Sequence, residues 1–311
     1  MTQKFRTVIS IALGLLISVS FTTQAQTPPR FLTLAPPEGF PIIPILEGWI
    51  RHEDGSRELV FGYINRNEEA VDVPVGENNY IEPAEFNGMQ PGHFEAGARG
   101  PQIFSVTLPA DRADEDVWWY IRSGSNNEVL KVPGRARDNA YEIDFVRPRP
   151  QGALSPLVGV GESGAQATGR MAVITDYPGT VRVGQEVEVA VNASDVSVRD
   201  TSDPRFSEPL DLGVHWAKHQ GPGDITFSRH PDTPVQENPF QEGDPRRSRW
   251  QGDNPARGSI EAGNGVAKVM ATFSEPGQYM IRTLVENWSA PDSSQGDQCC
   301  STNVYQRFNV Q

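Results

Sequence analysis

Two stretches decide the fold class: LGVHWAKH at 212–219 and PGQYMIRTLVEN at 276–287. In the first, Val214 and Trp216 stand two apart and point to one side of an extended strand, which leaves His215 on the other. In the second, a Pro-Gly break is followed by a run without helical spacing, with Tyr279 near its start and Ile281 two residues on. Working outward, QEVEVAVNAS (185–194) alternates Val187, Val189 and Val191 with Glu186, Glu188 and Ala190, the pattern of a half-buried strand. GRMAVITD, DITFSR, GVAKVMATFS and NVYQRFNV read the same way. Upstream, EGWIRHEDGSRELVFGYINRN is a hairpin turning at Asp54-Gly55, a pair suited to positive φ. AVDVPVG, PQIFSVTLP, DVWWYIRSG, EVLKVPG and YEIDFV follow, each short and bounded by turn residues. Repeated short strands of this kind predict an all-β chain of two β-sandwich domains in tandem.

Composition agrees. The 311 residues include 29 Gly and 26 Pro, about one residue in six, which disfavours long helices. The net charge of −13 argues against nucleic acid and anionic membrane surfaces as partners. The N-terminus reads as an export signal: Lys4 and Arg6, the apolar run Val8–Phe21, then small residues at Thr23 and Ala25. No later stretch is long enough to span a bilayer, so no membrane span is expected after signal removal. The expected organisation is a signal peptide (1–25), a Pro-rich lead-in (26–37), a first sandwich (38–146), a linker (147–168) and a second sandwich (169–311). The expected location is periplasmic or extracellular.

Immunoglobulin-type sandwiches place a core Trp on their third strand and a corner Tyr near the start of their sixth. Trp216 and Tyr279 fit both roles in chain order, with Ile281 where antibody domains carry a cysteine. The stretch 176–310 therefore resembles the Ig-like or PKD-like modules of exported bacterial proteins. The whole chain resembles two-module secreted bacterial proteins that end in a cysteine pair and a TN-containing strand, here CCSTNVYQRFNV. The resemblance implies an Ig-like second domain and brings no catalytic residues with it.

Candidate sites are scattered. GxGxxG at Gly159, Gly161 and Gly164 lacks the strand before it and the helix after it that a nucleotide fingerprint needs. No GxSxG elbow occurs, and GES at 161–163 lacks its context. His215, His219 and His230 lack a zinc spacing, and surface histidines explain them. The loop 192–208 offers Asp195, Asp200, Asp203 and Glu208 as oxygen ligands for calcium, against a merely solvated acidic loop. Trp118 and Trp119 must face opposite ways, one into the core and one outward, and Trp288 follows a strand end. The Pro-rich segment 228–257 is expected to be an irregular loop with Arg246, Arg247, Arg249 and Trp250 as its contact point, residue types enriched in binding hot spots. Cys299 and Cys300 cannot remain free thiols in an oxidising compartment, which favours a vicinal disulfide over an intermolecular bridge or metal ligation. The resulting expectation is an exported, non-catalytic binding or structural protein for a glycan or macromolecular partner. Two alternatives stand beside it: a metal-handling or redox accessory protein using Cys299 and Cys300, and a hydrolase with a scattered triad.

Overall fold

The computed structural model describes residues 39–143, 152–233, 240–245, 247, 253–288 and 300–311. The expected signal peptide and lead-in lie outside them. Among the described residues no helix is long and apolar enough to cross a membrane.

The chain is all-β. Its first half runs through β1 (Ile43–Arg51), β2 (Arg57–Ile64), β3 (Val71–Asp72), β4 (Asn79–Glu82), β5 (His93–Phe94), β6 (Arg99–Leu108), β7 (Val117–Ser123) and β8 (Glu128–Gly134). Sheets β1-β2-β6 and β4-β7-β8 face each other, with the short pair β3-β5 beside them. Alternation fixes which side chains meet. Val117, Trp119 and Ile121 of β7 are buried, while Trp118 and Tyr120 face out. Phe61 stacks on Phe104 at 5.2 Å, and Trp119 stands edge-on to both. The Trp119 indole donates to Asn79 Oδ1 (2.9 Å), so its polar end is satisfied inside the core.

The second half comprises β9 (Leu157–Val160), β10 (Val173–Val181), β11 (Glu186–Ser194), β12 (Leu212–Gln220), β13 (Ile225–Arg229), β14 (Arg257–Ile260), β15 (Asn264–Phe273), β16 (Gly277–Glu286) and β17 (Ser301–Val310). Sheet β10-β17-β16-β12-β14 packs on sheet β13-β15-β11-β9, and β10 runs parallel to β17. This is the immunoglobulin arrangement, with one change of order: the chain visits β13, beside β15, before it lays β14 against β12. Trp216 is 1 % exposed, and Ile281 joins Val187, Val189 and Val191 in one apolar cluster where antibody domains have a disulfide. The Tyr279 hydroxyl donates to Glu275 O (2.9 Å) and accepts from Gly223 N (3.0 Å), the expected corner.

Three expectations are corrected. The stretch 147–168 is not linker throughout: Leu157–Val160 pairs with β11, and Val158 completes the second core. Four residues are too few for periodicity to announce a strand. Of YEIDFV, only 141–143 are described, and these do not form a regular strand. Asn139–Tyr141 is a 3-10 turn capped by Asp138, Glu142 makes one bridge to Trp49, and 144–151 lie outside the described residues. Finally, His215 and His219 are not surface histidines, because the first sandwich covers the outer face of β12. His219 is 1 % exposed.

That covering is a hydrogen-bonded dock. His219 Nε2 bonds Met89 O (2.8 Å), and Gly92 N donates to His219 O (2.8 Å). Gln220 Nε2 donates to Gly88 O and Gln90 O. From β17, Asn303 Nδ2 donates to Gln102 O (2.8 Å), and the Tyr305 hydroxyl donates to Ile103 O, with Arg170 O 3.2 Å away. Buried polar groups satisfied in this way hold one geometry, because any slip leaves them unpaired at a cost of about 1–3 kcal/mol each.

Candidate functional site

Beyond the dock, the same sheet face opens into a cleft of about 1000 Å³. Its floor is the outer face of β14, β12 and β16. Arg257, Ser259, His215, Arg282, Leu284 and Glu286 all line it. The pairing places them in rows: Arg257 opposite His215, which is opposite Leu284, then Ser259 opposite Gly213, which is opposite Glu286. The segment 95–101 of the first sandwich lines the other side, and Phe240 and Trp288 are also in the lining. At Gly213 a Cβ would lie 2.2 Å from Glu286 Oε1 and would push that side chain aside. Its absence lets the carboxyl lie across the floor, where Trp288 N donates to Oε2.

Each charged group has a distinct surrounding. His215 Nε2 lies 3.5 Å from Glu95 Oε1. Burial, with Arg257 and Arg282 nearby, lowers the His215 pKa despite the Glu95 carboxylate. Burial works against the Glu95 charge, but His215, Arg282 and His93 outweigh it and hold the carboxyl well below the usual range. Glu286 goes the other way: burial raises its pKa against the Trp288 N–H and Arg257. Arg282 is 5 % exposed; its Nη1 donates to Asn303 Oδ1 (3.1 Å), and it has no carboxylate within ion-pair distance among the described residues. Arg257 likewise has no ion pair among them. Arg99, at the rim, is paired with Glu47 (2.6 Å).

The residues expected from sequence fall elsewhere. Asp195 is tied to Arg199 (2.6 Å), Asp200 caps Ser202, Asp203 is paired with Arg205, and Glu208 is exposed. The structure does not gather these four, and no three of His, Cys, Asp and Glu form a metal-holding group among the described residues. Of the loop cluster, Arg247 is exposed and donates to Phe240 O (2.5 Å), which places it beside the cleft lining. Arg246, Arg249 and Trp250 lie outside the described residues, as does Cys299. Cys300 is buried, not a free thiol, and sits at φ 80° just before β17. Gly159, Gly161 and Gly164 serve a tight hairpin: a Cβ on Gly164 would meet Val160 O at 2.0 Å, and Asn192 Nδ2 bonds Gly161 O. Of the two adjacent tryptophans it is Trp118 that faces outward, and its neighbours already occupy the ring faces. Tyr80 stacks on Tyr120 at 4.6 Å, and Lys131 lies over both Trp118 and Tyr120. That row is a cross-strand ladder rather than an open platform.

Sequence reasoning missed Glu95, Arg257, Arg282 and Glu286. The signal available was parity: Arg282, Leu284 and Glu286 take the face of β16 opposite Tyr279, Ile281 and Val285.

No protein-family model matches the chain, and no curated protein matches it. Among solved structures, one similar chain is the PapD-like domain 7 of human CEP192, at 14% identity and TM-score 0.25, covering 53% of this chain and 89% of that one. The fibronectin(III)-like modules of Clostridium thermocellum CbhA align at 7% identity and TM-score 0.21, covering 86% and 95%. The D0-D1 domain of intimin aligns at 10% and 0.23, covering 86% and 97%. Likeness at this level transfers neither activity nor partner, and the Ig-like assignment rests on strand order, Trp216 and Tyr279.

Proposed function

We propose that this chain is an exported, non-catalytic binding protein for a glycan or another macromolecule, with its ligand site in the cleft between the two sandwiches. The observation that carries this reading is the composite cleft itself. Its floor and its wall come from different sandwiches, and the buried dock beside it fixes their spacing. Pre-formed, ligand-sized concavities with a few convergent polar groups are where binding sites occur. Export rests on the character of residues 1–25, and a Cys299–Cys300 disulfide fits both that compartment and the buried Cys300. The test is retention on cell-envelope polysaccharide by the intact chain and by Ala96→Trp, which plugs the mouth from an exposed loop position. Retention lost in Ala96→Trp supports the cleft, and equal retention refutes it.

One observation favours a second, hydrolytic reading. Glu95 and Glu286 line one cleft with their proton affinities driven apart, the pattern of acid–base pairs. New reducing ends released from an oligosaccharide, and abolished by Glu286→Gln, would establish it.

A further inference from the structure

Arg282 poses a specific problem. A guanidinium carries five donors in a planar fork and cannot deprotonate. Here it is 5 % exposed, faces the cleft floor and has one neutral acceptor, Asn303 Oδ1. Burying such a charge is costly, and the Glu95 carboxylate offsets it only from beyond ion-pair distance. Arg257 stands two strands away and, because Arg282 pairs with Ala217 while Arg257 pairs with His215, two residues along, roughly 12 Å in all, with no ion pair of its own among the described residues. Two guanidinia thus face one space in which a carboxylate would complete both.

The other lining groups narrow the ligand. Glu95, Asp211 and Glu286 share the cleft and repel a densely charged anion such as a phosphate chain, while their oxygens accept from hydroxyl donors. Phe240 and Trp288 in the lining supply apolar contact. One carboxylate, several hydroxyls and an apolar ring face together describe an acidic sugar. We propose that the cleft binds a uronate-bearing oligosaccharide, its carboxylate held by Arg282 and Arg257 and its hydroxyls by Glu95, Asp211 and Glu286. This rests on the cleft being the ligand site and adds the ligand's chemical class.

The experiment is calorimetry on the intact chain with trigalacturonate, galactotriose and trialanine, in the presence of a chelator so that no calcium bridge is read. Trigalacturonate is expected to bind, and to bind more weakly as salt rises. Galactotriose lacks the carboxylate and trialanine lacks the hydroxyls, so neither should match it. Arg282→Lys keeps the charge but loses the fork and should weaken binding at least about tenfold, the scale of one charge-assisted hydrogen bond. Arg257→Gln, at an exposed position, should weaken it several-fold with an unchanged melting curve and guards against misfolding at Arg282. Galactotriose or trialanine binding as well as trigalacturonate overturns the uronate assignment, and if that binding is lost in Ala96→Trp the cleft remains a ligand site. Trigalacturonate binding that survives both Arg257→Gln and Ala96→Trp overturns the cleft itself. No binding by any of the three overturns the proposal.

Discussion

The outer face of one sheet does two different things along its length. At the β17 and distal β12 end, His219, Asn303 and Tyr305 are buried, and all three bond to backbone of the first sandwich. At the β14 and proximal β12 end, His215, Arg257, Arg282 and Glu286 face an open cleft, and both guanidinia lack carboxylate partners among the described residues. The residue types are similar, although burial is heavier in the dock, and Arg257 is exposed in the cleft. What differs is whether the neighbouring sandwich completes the hydrogen bonds. In the dock the polar groups hold the geometry of the two sandwiches; in the cleft they face open space, the contrast on which the proposed ligand site rests.

The contrast is open to attack at graded strengths. Trp216→Ala removes the core that both ends share and should cost about 3–5 kcal/mol. Chemical denaturation would show dock and cleft lost together; a chain that still docks would mean that the face does not depend on this core. In the dock, Asn303→Ala leaves Gln102 O without its donor and should cost about 1–3 kcal/mol. A change smaller than about 0.5 kcal/mol in the denaturation midpoint would mean that the two sandwiches are not fixed by these bonds.

His219 sharpens the comparison through pH. Burial, with Arg282 and His93 nearby, pulls its pKa down to about 3 despite the Met89 carbonyl. As pH falls below the unfolded value of about 6.5, the unfolded chain takes up a proton that the folded one refuses, so stability drops by about 1.4 kcal/mol per pH unit from this group. His219→Gln should flatten that part of the stability profile. An unaltered slope between about pH 6.5 and 4 would show that His219 is not held neutral. The smallest effect belongs to the cleft: Arg257→Gln should move stability by no more than about 0.5 kcal/mol, since the residue is exposed and makes no ion pair among the described residues. A loss the size of the dock's would make Arg257 a structural residue.

Legibility followed the range of the interaction. The second sandwich was readable because alternation along one strand, as at Val187, Val189 and Val191, is a local property that the pleat turns directly into burial. The corner Tyr279 was readable because its partner, Glu275, lies four residues away. β9 was not, because LVGV carries too little pattern to be told from a loop until β11 pairs with it. That Trp118 and Trp119 take opposite faces was legible from parity, but not which of them faces out, nor that Tyr120 and Lys131 would close over Trp118.

The sequence by itself determined an all-β chain, an Ig-like second sandwich with Trp216 inside it, and, for the strands it revealed, which residues share a side. It did this because the period of two is written into the backbone and hydrophobic burial acts on it directly. Only the tertiary structure decided that the outward side of β12, β16 and β17 would be covered by the first sandwich. That covering buried His219 with Met89 and brought Glu95 to His215 from 120 positions away in the chain. Parity assigns a residue to a face but says nothing about what meets that face. The meeting depends on complementarity between two surfaces that no local pattern encodes, so the cleft appears only when both sandwiches are in place.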